Sequence, residues 1–162
     1  MRIRLLTILL LIATNCHAGP AAKRFLLVGN VVKYEAAAFE GATISPWASA
    51  TFGIATDQFH AGSKSAKVTA PSGAAVTMTR TMDTAGGTFG MWIRYYYGAN
   101  HTVLVTVGAT TVINQVLSGA GSTWYYVSGP CPAGAGQLVT ISVTPFGAGE
   151  TMWIDDIAIP IP

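Results

Sequence analysis

From Phe25 onward, apolar and polar positions alternate with a period of two residues, the spacing at which successive side chains leave a strand on opposite faces. "SAKVTA" (Ser65 to Ala70) puts Ala66, Val68 and Ala70 on one face and Ser65, Lys67 and Thr69 on the other. "TFGMWIRYYYG" (Thr88 to Gly98) sends Phe89, Met91, Ile93, Tyr95 and Tyr97 one way and Trp92, Arg94 and Tyr96 the other. The longer set, Phe89 to Tyr97, reads as core. Further strands are expected over Thr102 to Gly108, Thr123 to Ser128, Gln137 to Pro145 and Met152 to Ile159. Between them lie "GAN", "GAGS", "GPCPAGAG" and "FGAGE", a vocabulary of turns that places Cys131 in a turn. No long stretch carries the 3.6-residue period of an amphipathic helix. A helical interlude fits only "VVKYEAAAFEG", where the alanines favour it.

Short strands in regular succession, with no helices between them, predict an all-β fold: an antiparallel two-sheet jelly-roll β-sandwich. The length, 162 residues, suits one domain with a sizeable core. A hydrophobic share of 51% against 10% charged residues excludes a disordered chain. The formal charge of +2 and the lack of a basic cluster beyond Lys23-Arg24 exclude nucleic acid as a partner.

The first eighteen residues differ. Arg2 and Arg4 precede an apolar stretch from Leu5 to Ala13, and Cys16-His17-Ala18 stand before Gly19. That is the layout of a secretory signal peptide cut after Ala18, leaving a single domain over residues 19–162; an uncleaved N-terminal helix is the alternative. The stretch falls short of the ~20 residues that a membrane span needs. Cleavage would remove two of the nine basic residues, leaving seven against seven acidic ones. It would also leave Cys131 without a partner for an internal disulfide.

Within this apolar chain, "MWIDDIAI" (Met152 to Ile159) places two carboxylates, Asp155 and Asp156, side by side in a strand. Neighbouring strand residues point to opposite faces, so the pair can serve one site only if a bulge intervenes. "LLVGN" (Leu26 to Asn30), "FEGATISPW" (Phe39 to Trp47), "HAGSKSAKVTA" (His60 to Ala70) and "MWIDDIAI" occur in that order. The order resembles carbohydrate-binding modules of the galactose-binding-like jelly-roll type, over about residues 26–159. "GTFGMWIRY" and "GSTWYYVS" are similar to the middle strands of that family. One departure is the "VVKYEAAA" that separates Asn30 from Phe39.

The resemblance implies a structural calcium ion at the rim. Its ligands would be the carboxylates of Glu40 and of Asp155 or Asp156, with backbone carbonyls around Gly62 and Ser65; six to eight such oxygens suit calcium. It also implies binding to a glycan or polysaccharide. A sugar site needs aromatic faces for the apolar side of a pyranose and polar groups for its hydroxyls. Trp92, Arg94 and Tyr96 share the face that is not core, and Trp124 or Tyr126 would be their neighbours. Trp47 and Trp153 read as structural.

Catalysis is not expected. His17, His60 and His101 have no evident partners in sequence, no G-x-S-x-G elbow surrounds Ser63, Ser65 or Ser72, and the implied calcium already accounts for Glu40 lying near Asp155. Two non-catalytic roles remain open. One is a secreted or surface-displayed glycan-binding module. The other is a phage virion protein, a decoration or fibre domain that uses the sandwich for assembly, as a homo-oligomer or on the virion surface.

Overall fold

The computed structural model describes residues 23–25, 33–69, 75–96, 100–118, 121–144 and 149–162. The leader over residues 1–18 and Tyr97 lie outside them. Every element among the described residues is a strand: β1 (Lys23–Phe25), β2 (Lys33–Ala37), β3 (Gly53–Ala55), β4 (Ser65–Thr69), β5 (Val76–Thr84), β6 (Gly87–Tyr96), β7 (His101–Val107), β8 (Thr110–Leu117), β9 (Trp124–Cys131), β10 (Gly134–Thr144) and β11 (Thr151–Ile161). All pairings are antiparallel, in a seven-stranded and a four-stranded sheet that form a jelly-roll sandwich. No helix among the described residues is long and apolar enough to cross a membrane.

The four-stranded sheet runs β5-β10-β7-β8. The larger sheet is organised by β11. Its N-terminal half pairs with β4, its C-terminal half with β2, and β6 runs along it from Thr151 to Ala158. β9 then pairs with β6. Alternation decides which side chains meet between the sheets. Phe89, Met91, Ile93 and Tyr95 of β6 are fully buried with Met152 and Ile154 of β11. On the other sheet Val139, Ile141 and Val143 are buried with Val103, Val105 and Val107. The core thus consumes one face of each sheet, and Trp92, Arg94 and Tyr96 stand on the outer face of the larger one.

Two local expectations are corrected. "VVKYEAAAFEG" supplies strand β2, not a helix, because pairing with β11 outweighs the alanine propensity and puts Tyr34 and Ala36 on one face. Cys131 ends strand β9, buried at 5% exposure, instead of lying in a turn. Burial pushes its thiol pKa up, which keeps it protonated and inert.

Candidate functional site

Register builds the outer face of the larger sheet row by row. Thr151 of β11 lies opposite Tyr96 of β6, and Trp153 lies opposite Arg94 with Trp124 of β9 beyond it. Asp155 lies opposite Trp92, followed by Tyr126. The next matched residue on β11 is Ala158, opposite Gly90. Two steps on β6 are thus met by three on β11, which is a bulge. Asp156 adopts φ 46° there, a left-handed conformation that Asp tolerates better than most side chains. The extra residue breaks alternation, and both carboxylates turn to one residue, His60.

Asp155 is fully buried. Its Oδ2 accepts the backbone N–H groups of His60 at 2.9 Å and Ala61 at 3.3 Å, and its Oδ1 accepts the N–H of Asp156 at 2.8 Å. Burial raises its pKa and the neighbouring Asp156 charge adds to the rise; the three N–H donors oppose them, and the balance stands at about 6. Asp156 reaches the His60 ring instead, with Oδ2 2.8 Å from Nδ1. A carboxylate only accepts, so Nδ1 carries the proton.

The imidazole lies flat on Trp92, ring centres 3.9 Å apart and 14° from parallel, with Trp124 edge-on at 5.8 Å. One face of Trp92 is therefore covered by protein. Tyr126 is open at 52% exposure, 5.3 Å from Trp92 between ring centres. Its hydroxyl rests over Gly90, where a methyl group would come within 2.1 Å of it. Only glycine at that position lets the phenol lie along the sheet.

A groove of about 400 Å³ opens beside it, lined by Tyr34, Ala36, Thr88, Tyr126, Asp156 and Ala158. Ala36, Ala158 and Gly90 sit side by side across β2, β11 and β6, so the floor is flat. Of the residues expected to bind ligand, Tyr126 lines this groove. Trp92 meets Tyr126 beneath the stacked His60 ring, with Trp124 edge-on to that ring, while Arg94 and Tyr96 lie further along β6. His60, Tyr34 and Thr88 were not foreseen. Tyr34 had a signal, the alternation of Tyr34 and Ala36 with Glu35 and Ala37; His60 had none, because its partners are 32 or more residues away.

The expected calcium ligands have other occupations. Glu40 Oε1 accepts the N–H of Ser63 at 2.8 Å and of Lys64 at 3.3 Å, and its Oε2 accepts the Ser63 hydroxyl at 2.7 Å. Burial works to raise the Glu40 pKa, but the Ser63 and Lys64 donors prevail and hold it below its usual value. Gly62 has φ +76°, and a side chain there would run into the Glu40 carboxylate. The Ser65 hydroxyl donates to the Gln58 carbonyl at 2.6 Å.

The Lys64 ammonium donates to the carbonyls of Glu40 at 3.1 Å and Gly41 at 3.0 Å, putting a fixed positive charge on oxygens a cation would use. As arranged, Lys64 and the backbone N–H donors compete with a calcium ion for the oxygens of Glu40 and Gly41. Among the described residues no group of three or more His, Cys, Asp or Glu could hold a metal. EDTA is therefore expected to leave the melting temperature unchanged, while Lys64→Met lowers stability by about 1–2 kcal/mol. A drop on chelation, reversed by added calcium, would return the metal to the rim.

No known protein-family model and no curated protein matches the sequence. Solved structures do match. A family 61 carbohydrate-binding module, solved in complex with β-1,4-galactotriose, superposes with TM-score 0.62 at 16% identity, over 78% of this chain and 95% of that one. The chain shares the jelly-roll β-sandwich fold of that module. The K1 adhesin domain of Lys-gingipain from Porphyromonas gingivalis W83 is also similar, at TM-score 0.64 and 12% identity, over 80% of this chain and 98% of that one. So is the CBM22-1 xylan-binding domain of Paenibacillus barcinonensis Xyn10C, at TM-score 0.54 and 14% identity, over 88% and 97%. At these identities the likeness concerns the fold.

Proposed function

We propose that this protein is a non-catalytic module that binds a glycan chain in the groove between Tyr34 and Tyr126. The observation that carries the reading is the make-up of that groove: an exposed phenol ring over a flat floor of small residues, with the Asp156 carboxylate at its side. The ring suits the apolar face of a pyranose, and the flat floor lets a chain lie along the sheet. Asp156 Oδ2 is held by His60, which fixes the carboxylate as an acceptor for sugar hydroxyls. The similar structures described as carbohydrate-binding or xylan-binding modules support the same reading. The leader pattern of residues 1–18 supports a place outside the cell.

Affinity electrophoresis through gels containing soluble polysaccharides, neutral and acidic, tests the proposal. Retardation in at least one gel is expected. Unchanged mobility across β-1,4-galactan, xylan, mixed-linkage glucan and polygalacturonate would sink it.

A further inference from the structure

Arg94 has no hydrogen-bond or ion-pair partner among the described residues. It stands in a row crossing the outer face, with Lys67 of β4, Trp153 of β11 and Trp124 of β9. Lys67 is paired with Asp57, which also accepts the indole N–H of Trp153 at 3.0 Å. Arg80 is paired with Glu35 at 2.6 Å. Lys64 is spent on the carbonyls of Glu40 and Gly41, and Lys33 donates to the Pro162 carbonyl at 3.3 Å. The nearby carboxylates are equally committed, Asp155 to three N–H donors and Asp156 to His60. Among the described residues, the Arg94 guanidinium has no such partner, and its Nε is buried with no hydrogen bond.

The buried Nε is closed to a ligand, but the residue is only half-buried, and its terminal Nη groups, without a partner among the described residues, are left for an acceptor from outside. Its planar fork matches a carboxylate with two parallel hydrogen bonds, and water supplies no such match. On a glycan the group of that shape is a uronic acid. Trp124, directly opposite Arg94, offers an aromatic surface for the ring that carries it. Gly90, under Tyr126, is four residues along β6, or about 13 Å. That distance is within the reach of a few linked pyranose rings.

We infer that the Arg94–Trp124 end of this face is a subsite for a uronate, which makes the ligand an acidic polysaccharide. The inference rests on the glycan-binding reading and narrows it. The neutral rings of such a chain would occupy the Tyr126 groove, and the charged ring would sit on Arg94.

Polygalacturonate and its methyl ester share a backbone and differ in charge, so the pair is the probe. Wild-type protein is expected to bind the acid on the order of tenfold more tightly than the ester, with the preference fading as salt rises. Arg94→Gln should abolish the preference and keep the binding to the ester or to neutral galactan, which also shows that the variant folds. Arg94→Lys, which keeps the charge without the fork, should fall between. Equal binding of acid and ester, or a preference that survives Arg94→Gln, would overturn the subsite and leave the glycan module standing. A sulfated galactan preferred to polygalacturonate would overturn the carboxylate assignment. Failure to bind any polysaccharide, acidic or neutral, would remove the glycan reading and the subsite together.

Discussion

Replacing Asp155 by alanine is expected to lower the unfolding free energy by about 3 kcal/mol or more, the largest stability effect of any single change on the outer face. The side chain is fully buried and answers three backbone N–H groups, two of them from the His60–Ala61 segment. Alanine would leave those donors without a partner and release the loop that holds His60 on Trp92. For a chain of this length the loss is roughly 10 °C in melting temperature, measurable by calorimetry or circular dichroism. A shift of a degree or less would mean that water satisfies those donors.

The same residue gives a pH signature. Its folded pKa of about 6 lies above the 3.8 of an ordinary Asp. Between those values the folded chain binds more protons than the unfolded one, so this group's contribution to stability falls as pH rises through that window. Glu40 and Asp57 act in the opposite sense. Both are held below their usual values, so their contribution is present at neutral pH and lost as pH falls through the folded pKa. Asp155→Asn separates the two. The difference between wild type and variant should move against the wild type from pH 4 to 6, and a difference flat across that range would contradict the raised pKa.

Tyr126→Ala is expected to weaken glycan binding by about 2 kcal/mol, roughly thirtyfold in dissociation constant, while the melting temperature stays within about two degrees. The ring is half exposed and belongs to no core cluster, so its removal exposes little that folding had buried. Trp92→Ala is the contrasting change. Trp92 carries the stacked His60, so its loss should lower stability as well as binding. If Tyr126→Ala binds every ligand as wild type does, the groove is not the site. The subsite around Trp124 and Arg94 would then have to hold the chain alone.

Most of the fold was legible because strand alternation is a local signal. Phe89, Met91, Ile93 and Tyr95 alternate with Trp92, Arg94 and Tyr96, and the structure puts them on opposite faces as the spacing requires. β5 and β8 were not foreseen. "VTMTRTMDT" does alternate, with Val76, Met78 and Met82 against threonines and Asp83, whereas "TTVINQVL" holds its strand through pairing with β7 more than through a pattern of its own. β2 went unread for a related reason. Alanine has a clear helical preference in isolation, and only the neighbouring β11 converts that segment to a strand.

The site divides along the same line. Sequence alone determined which side chains could face outward, because a period of two depends on nothing distant. It identified the aromatic strand, the unusual pair Asp155-Asp156 and the need for a bulge if both were to serve one place. Only the tertiary structure decided that His60, 95 residues before Asp155, would be the residue they share, covering Trp92 and leaving Tyr126 open. It also decided that Lys64 would sit on the Glu40 and Gly41 carbonyls. Alternation is set by each residue's own backbone, whereas contacts between a loop and a strand depend on how the sheet closes, and no short stretch of sequence carries that information.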